Sequence, residues 1–343
     1  MMPEEMSESD LGRAGVRPGK LYERYRQARL ELRQETERGQ ARPGDAGLVT
    51  DVRSRADEAR ASSPPAQFLQ LHLADVSQIR RACGDADADL PEAELAEFAR
   101  RHPRAGLNAR RQSAQAARLL ARTAIGAAAG RPPAEIRFAV NAWGRPCLVD
   151  PPRHADAAEG ATAGSRVGGA DPSVLDFNAS HDGGLLALVV GRGVCGIDVE
   201  DAPDSSLREI AYRFCGAGDR EFLVGRGSAR ELWAAKESAA KALGRGLRAG
   251  LGSIQFVGRP GRRWADVLWR GHPVPLRTRV VDLGVRHLAV TVAVRPSQVR
   301  VHIWQPTRIA DRWQLRRAEA PSAALARAAA EIGNCLSSCG TEK

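Results

Sequence analysis

The sequence predicts an α+β protein, in which helices and antiparallel strands occur in mixed runs along the chain. Short stretches that alternate apolar and polar residues indicate half-buried strands. Ala-rich stretches that end at Gly or Pro indicate helices, and a mixture of both elements favours the α+β class. The chain has 343 residues, of which 43% are hydrophobic, and this length is enough for about two domains with packed cores.

Residues 1–65 are predicted to be an extension outside the main fold, partly helical or disordered. Residues 21–38 carry mixed charges, which is typical of a solvent-facing helix. Stretches rich in Gly and Pro at 39–47 and 62–65 end that helix and begin a linker. A partner-binding role for the extension is the alternative to a solvated surface helix.

The first half of the fold is predicted from alternation and from chain breakers. Pro91 suits the first turn of a helix, Gly130 ends a long helix, and Asp182-Gly183-Gly184 is a hairpin signal. In order, the predicted elements are a strand at 68–73, a helix opening at 90, a helix at 110–129, a strand at 136–140, a loop or insertion at 152–172, and strands at 175–181 and 185–190.

The second half is predicted to continue with a buried strand, two helices and a run of strands. The last part of the chain is rich in Ala and Arg, which favours a peripheral helix. In order, the predicted elements are a strand at 195–200, helices at 207–214 and 230–243, strands at 253–257, 265–270, 276–281 and 287–294, and a helix at 308–336.

Bulk composition narrows the function only slightly. A formal net charge of +10 attracts polyanions such as nucleic acid, phosphorylated cofactors or acidic proteins, although genomic bias toward Arg and Ala explains the same composition. The six cysteines form no CxxC pair and no secretory signal precedes them, which favours a reduced compartment. The longest apolar run, 185–190, is far shorter than the ~20 residues that span a bilayer. A cytoplasmic protein with no membrane segment is therefore expected.

The first candidate for chemistry is the strand at 195–200, which contains Asp198 and Glu200. Side chains alternate along a strand, so both carboxylates face one way while Ile197 and Val199 face a core. Two carboxylates on one face repel each other, and a divalent cation relieves that repulsion. Mg²⁺ is usually held by one or two carboxylates together with phosphate oxygens and water. An ordinary half-exposed strand is the alternative explanation of the same pattern.

The second candidate is the helix at 230–243, on which Trp233, Glu237 and Lys241 recur every fourth residue. That spacing places an aromatic ring, a carboxylate and an ammonium on one helix face. The alternative is a surface Glu–Lys pair, worth only a few tenths of a kcal/mol.

The third candidate is the turn at 177–183, where Ser180 and His181 offer a hydroxyl and an imidazole to a phosphate group. A capped turn with a solvated His is the alternative. No third partner completes a serine-nucleophile triad, and the Gly-x-Ser-x-Gly motif is absent.

Taken together, the three segments resemble the surfactin-type (Sfp-type) 4′-phosphopantetheinyl transferases over roughly residues 66–300. An upstream Gly144-Arg145-Pro146-Cys147-Leu148 is similar to that family's Gly-Lys/Arg-Pro-x-Leu element, and the segments at 90–101 and 117–122 resemble its N-terminal half. The motifs occur in the family's order: Asn178-x-Ser180-His181, then Gly196-Ile197-Asp198-x-Glu200, then Trp233-x-x-Lys236-Glu237-x-x-x-Lys241.

The resemblance implies a fold and a reaction. The fold would be a pseudo-dimer of two similar α+β halves at 66–192 and 193–305, with 1–65 as a charged N-terminal extension and 306–343 as a helical tail. The reaction would move the 4′-phosphopantetheine of coenzyme A to a serine of an apo acyl or peptidyl carrier protein or domain, releasing 3′,5′-ADP. The cofactor would be Mg²⁺, and Mn²⁺ is the alternative in an oxygen site.

The resemblance also implies roles for single residues. The magnesium ligands would be Asp198, Glu200 and Glu237. The catalytic residues would be Lys241, near the pyrophosphate, and Glu237. Our hypothesis is that Glu237, or a metal-bound water that it holds, is the base that accepts the serine proton. The family usually has a basic residue near Ala109, and Arg110 or Arg111 would replace it here. The residues that would contact the coenzyme A phosphates are Arg145, Ser180, His181, Lys241 and Arg110.

Three further features depart from the family pattern, besides the missing basic residue near Ala109. Asp182 stands where the family usually has Ser or Thr, and a cap on the Gly183-Gly184 turn is the favoured explanation. The acidic residue after Phe214 appears at Asp219, one position later than usual. The insertion at 152–172 is also longer than expected.

Two other interpretations stay open, from different functional classes. A fold relative that binds coenzyme A or a carrier protein without catalysis is disfavoured by the intact carboxylates and Lys241. A nucleic-acid-binding protein is disfavoured because aromatic residues are few and Arg residues are dispersed.

The resemblance also bears on the partner and on the oligomeric state. The carrier proteins that such transferases modify are small and often acidic, so a basic surface would steer them. Two fused halves favour a monomer, and the analogy leans toward secondary metabolism or broad specificity.

Overall fold

The computed structural model describes residues 68–83, 107–141, 143–149, 175–182, 184–224, 227–293, 296, 298–309 and 312–337. The predictions for 1–65, 90–101 and 152–172 lie outside these residues. The strands are β1 (Phe68–Asp75), β2 (Arg137–Val140), β3 (Pro146–Val149), β4 (Leu175–Asp182), β5 (Leu185–Arg192), β6 (Cys195–Glu200), β7 (Ile254–Val257), β8 (Ala265–Trp269), β9 (His272–Asp282), β10 (His287–Val292), β11 (Gln298–Ile309) and β12 (Arg312–Arg317). The α-helices are α1 (Val76–Cys83), α2 (Leu107–Ala129), α3 (Asp204–Glu209), α4 (Ala211–Phe214), α5 (Ala217–Val224), α6 (Ala229–Ala242) and α7 (Ala323–Ser337).

Five strands form the first sheet, in the order β12-β11-β1-β5-β4. The central strand β1 is parallel to β11 and antiparallel to β5. Alternation along β1 puts Leu69, Leu71 and Leu73 into a core that the first sheet shares with the second. Ala74 on the opposite face packs with helix α2. Both faces of this sheet are therefore covered.

The second sheet is antiparallel throughout, in the order β6-β10-β9-β8-β7. One face contributes Ile197 and Val290 to the core shared with the first sheet. The other face carries α6, whose Ala234 and Ala235 pack against Ala289. Small side chains on both sides let the helix lie close to the sheet, and that closeness shapes the site described below.

The C-terminal part of the chain corrects the predicted helical tail at 306–343. Residues 308–309 and 312–317 are strand rather than helix, and the predicted boundary at 305 falls inside β11. The predicted helix is present as α7, which buries Ile332 and Leu336 in the core between the sheets and leaves its other residues exposed or half-buried. Pairing of β11 with both β1 and β12 supplies hydrogen bonds that outweigh the helical preference of the local composition.

The two sheets meet where β4 lies beside β6, and side chains join them there. Every second side chain of β4 points toward β6 or toward Asp201, which directly follows β6, as the two-residue period of a strand requires. Buried backbone N–H groups need acceptors, and two of these side chains supply them to β6. The bonds run from Cys195 N to Asp176 Oδ2 (3.0 Å), from Ile197 N to Asn178 Oδ1 (3.1 Å), from Ser180 Oγ to Asp198 Oδ1 (2.9 Å) and from Asp201 N to Asp182 Oδ2 (3.2 Å).

The predicted α+β class is confirmed, and so is the hairpin between β4 and β5, in which Asp182 lies opposite Leu185. The similarity of the two halves, and so the pseudo-dimer, stays a prediction. Across the part of the chain that the structure describes, none of the helices has the length and apolar character needed to cross a membrane.

Candidate active site

Strand β6 carries the two carboxylates that the sequence singles out. Asp198 and Glu200 are 2% and 1% exposed, and the intervening Val199 is 3% exposed in the core between the sheets. The predicted alternation is therefore confirmed, and the alternative of a half-exposed strand is wrong because both faces of β6 are covered. Two ionisable groups buried this deeply need a partner for their charge.

Helix α6 brings the third carboxylate to the same place. The helix begins at a side-chain cap, in which the N-cap Ser228 Oγ accepts the Glu231 backbone N–H at 3.1 Å. Two turns further on, Glu237 lies 5% exposed against β6. One oxygen from each of Asp198, Glu200 and Glu237 lies within 4.8 Å of the other two, and these three residues are called the carboxylate cluster below.

Gly196 explains how α6 can lie so close to β6. A Cβ atom at this position would lie 2.7 Å from Ala242 N and closer still to Ser238 O. Both are backbone atoms in the last turns of α6. Only glycine leaves room for that approach. Ser238 Oγ uses the closeness to donate to Gly196 O at 3.2 Å, which fixes the helix against the strand.

Lys241, one turn beyond Glu237, points into the junction between the sheets. Its Nζ donates to Asp198 Oδ1 at 2.6 Å, to Ser180 Oγ at 3.0 Å and to Ile197 O at 3.2 Å. Ser180 Oγ itself donates to Asp198 Oδ1. The structure thus brings together Ser180 of the first sheet, Asp198 of the second sheet and Lys241 at the end of α6.

The electrostatics of the cluster show an excess of negative charge. Burial, followed by the neighbouring Glu237 carboxylate, raises the pKa of Asp198 to about 7. Burial and the neighbouring Asp198 raise the pKa of Glu200 to about 8, although the Ala202 backbone N–H opposes the shift by donating to Glu200 Oε1 at 2.8 Å. Lys241 supplies a single positive charge among three carboxylates. A further cation would restore the balance.

A divalent metal ion fits the cluster. Carboxylate oxygens are hard donors of the kind that Mg²⁺ and Mn²⁺ prefer. Asp198 Oδ2 is buried and has no hydrogen-bond partner among the described residues, and a buried polar atom of this kind normally has one. The residues that would hold the ion are Asp198, Glu200 and Glu237.

Arg145 is placed by the β2–β3 turn, which its neighbour Asn141 organises. Asn141 Oδ1 accepts the backbone N–H of Trp143 at 2.9 Å and that of Arg145 at 2.8 Å. The Arg145 guanidinium then pairs with Asp176 at 2.6 Å and donates to Cys195 O at 3.0 Å. Its Nη2 is therefore occupied by protein groups at the start of β6. Contact of Arg145 with a phosphate stays a prediction.

The structure separates Ser180 from His181, which the sequence pairs as phosphate contacts. Adjacent residues of a strand face opposite ways, so Ser180 lies in the junction while the His181 side chain is exposed. Arg110 lies in the first turn of α2, and the prediction for its side chain falls outside the described residues. The contacts proposed for His181 and Arg110 stay predictions.

Sequence reasoning missed the role of Lys236, which is fully buried. Its Nζ pairs with Asp219 at 2.8 Å and donates to Leu251 O at 2.9 Å and to Ile254 O. Asp219, which the sequence presents only as a departure in spacing, is thus the counter-ion that anchors α5 to α6. The apolar residues on every side of α6 were the available signal, because a lysine in such a helix must find a partner.

Comparison with known proteins is consistent with this geometry. A family model described as the 4′-phosphopantetheinyl transferase superfamily matches residues 194–293. Residues 194–293 form a 4′-phosphopantetheinyl transferase superfamily domain. No curated protein matches the chain. Members of this superfamily use coenzyme A as substrate, typically require a divalent metal, and act on carrier proteins. The match supports the conclusion that this protein is a 4′-phosphopantetheinyl transferase enzyme.

The matched region contains part of the site. The carboxylate cluster and Lys241 lie within residues 194–293, whereas Arg145, Ser180 and His181 precede them. The superfamily domain therefore carries the metal-binding candidates, and the first sheet adds Ser180 to them across the junction.

Proposed function

We propose that this protein is a surfactin-type transferase that moves 4′-phosphopantetheine from coenzyme A to a serine of an apo acyl or peptidyl carrier protein, with Mg²⁺ as cofactor. One observation carries the proposal. Inside a transferase superfamily domain, three buried carboxylates share one site with Lys241, and the buried Asp198 Oδ2 lacks a hydrogen-bond partner among the described residues.

The reaction forms one bond and breaks one. The serine oxygen of the carrier bonds to the β-phosphorus of coenzyme A, the bond from that phosphorus to the bridging oxygen breaks, and 3′,5′-ADP leaves. The serine proton passes to a base. Bound Mg²⁺ would neutralise charge on the pyrophosphate. Catalysis of phosphoryl transfer depends mostly on positioning and on charge stabilisation, and fixed groups of the protein supply both.

Lys241, Ser180 and Glu237 have different proposed roles in this reaction because they occupy different positions in the site. Lys241 provides a fixed positive charge beside Asp198, held there by three hydrogen bonds. Ser180 Oγ accepts a hydrogen bond from the same ammonium, and this hydroxyl can instead contact a phosphate oxygen of coenzyme A. Glu237, the cluster carboxylate carried by α6, or a metal-bound water that it holds, is the proposed proton acceptor.

The finer assignments rest on the resemblance. The two fused halves that the resemblance implies would favour a monomer, and Mn²⁺ is the alternative ion in this oxygen site. A cytoplasmic location and a role in secondary metabolism follow from composition and analogy, and each is part of the proposal.

Intact-mass spectrometry of an apo carrier protein incubated with this enzyme, coenzyme A and Mg²⁺ tests the function. We expect the carrier to gain the mass of phosphopantetheine, and we expect the gain to vanish with a chelator and with Asp198→Ala. Glu135→Ala is the matched control, because Glu135 is an exposed carboxylate in a surface pair with Arg131. Absence of a gain with several carrier types, despite measurable coenzyme A binding, would favour a non-catalytic relative.

A further inference from the structure

Trp233 makes one polar contact that the superfamily match leaves without a role. Its indole Nε1 donates to Glu237 Oε2 at 2.9 Å, from one turn earlier on α6. Trp233 is 1% exposed and Glu237 is 5% exposed, so water does not compete for this bond. An indole N–H is only a donor, so it binds an acceptor oxygen of the carboxylate and nothing else.

The indole itself is held in place. Trp233 packs edge-on against Phe214, with ring centroids 5.0 Å apart and an interplanar angle of 87°. Phe214 is fully buried in the core beneath α6. A locked ring with its N–H aimed at Glu237 fixes the rotamer of that side chain and the orientation of its carboxylate.

The consequence for the site follows from what the other two carboxylates receive. Asp198 Oδ1 accepts bonds from Lys241 and Ser180, and Glu200 Oε1 accepts the Ala202 N–H. Glu237 receives its bond from Trp233. Each member of the carboxylate cluster thus has one oxygen fixed by the protein, which restricts the orientation of the carboxylate.

We propose that Trp233 is a positioning residue, whose indole N–H orients Glu237 for the metal ion. This inference rests on the proposed metal site. Groups that hydrogen-bond to metal ligands typically change metal affinity or activity by about 10–100-fold when removed. Trp233→Phe keeps an aromatic ring in the core and removes the N–H, so it isolates the bond.

Binding of Mn²⁺ to the full-length protein without coenzyme A, measured by calorimetry and by electron paramagnetic resonance, is the test. We expect Trp233→Phe to raise the Kd for Mn²⁺ by about 10–100-fold. The control is Trp269→Phe. Trp269 is fully buried in the same core and donates its N–H to a backbone carbonyl, Ala249 O, at 3.2 Å. That variant should stay within about twofold of the wild type, because it loses an equivalent bond away from the cluster.

A second comparison separates positioning from a general loss of structure. If Trp233 acts through the Glu237 carboxylate, Trp233→Phe should add less than about threefold to the Kd when Glu237→Gln is already present. A Trp233→Phe protein that binds Mn²⁺ as tightly as Trp269→Phe would overturn the positioning role alone. Failure of the wild type to bind Mn²⁺ would overturn the metal site, and the positioning role with it.

Discussion

Replacing Gly196 with Ala tests whether the close packing of α6 on β6 sets the geometry of the site. The new Cβ would lie 2.7 Å from Ala242 N and closer still to Ser238 O, against 3.4 Å or more for an ordinary contact. Backbone atoms cannot rotate aside as a side chain can, so the helix must move away from the strand by on the order of 1 Å. Glu237 and Lys241 would move with it, away from Asp198.

Two magnitudes follow from that displacement. Overpacking of a core costs about 1–3 kcal/mol of unfolding free energy, which leaves most of a typical stability of about 5–15 kcal/mol intact. Misplacement of catalytic groups by about 1 Å costs roughly 100-fold in rate. We therefore expect Gly196→Ala to stay folded in chemical denaturation but to lose about two orders of magnitude in kcat/KM for coenzyme A.

The assay is the rate of carrier modification followed by intact mass, with denaturant unfolding measured on the same samples. Gly333→Ala is the matched control. A Cβ at Gly333 in α7 meets only Val301 Cγ2, at an ordinary 3.8 Å. That variant should keep its activity and gain up to about 1 kcal/mol, because alanine is the better helix former. A folded Gly196→Ala protein with the wild-type rate would refute the packing argument.

Three further predictions concern other parts of the molecule. Glu237→Gln should bind coenzyme A in calorimetry yet lose turnover at every pH from 6 to 9, and retained turnover would show that Glu237 is not the base. Lys236→Met should lower the unfolding free energy by about 3–5 kcal/mol in urea, because Asp219 then stays buried without its cation; a loss below 1 kcal/mol would contradict the buried pair. Burial lowers the pKa of His72 to about 3 from the usual 6.5, so the unfolded state binds more protons and stability falls as the pH drops below 6.5. The protonation of His72 in the unfolded state should lower the free energy of unfolding by about 2 kcal/mol at pH 5. The same decrease should occur in a control protein in which the exposed His272 is changed to Gln.

The pairing of residues within each element could be predicted because it depends on local geometry, whereas the meeting of β6 and α6 at one site was implied only by the resemblance. The two-residue period of β6 places Asp198 beside Glu200, and the helical period of α6 places Glu237 one turn from Lys241. These periods hold whatever the rest of the chain does. The burial of both elements then follows from the apolar residues that alternate with the functional ones.

Neighbouring residues of β4 show what strand geometry adds to a motif. The Ser180-His181 step suggests two groups acting together on a phosphate. The alternation of a strand separates them, however, and only Ser180 reaches Lys241. Strand geometry therefore places the two candidates on opposite faces of β4, and contact of either with a phosphate stays a prediction.

The C-terminal strands were missed because composition outweighed pattern. Val299, Val301 and Ile303 alternate with polar residues, which is a strand signal. The partner of β11 is β1, more than 220 residues earlier in the chain, and no local signal indicates a contact at that separation. Ala and Arg in the following segment favour helix, and tertiary pairing overrides that preference in β12.

The junction between β4 and β6 links the stability of the fold to the assembly of the site. Asp176 and Asn178 accept N–H groups along the edge of β6 that faces the first sheet. Ser180, the next residue in that row, contacts Asp198 within the cluster. Satisfying the backbone of β6 and placing Ser180 are therefore one structural event, because the same strand period sets both. A site divided in this way exists only when the two sheets are docked, so loss of docking should abolish the Lys241–Ser180 contact before either sheet unfolds.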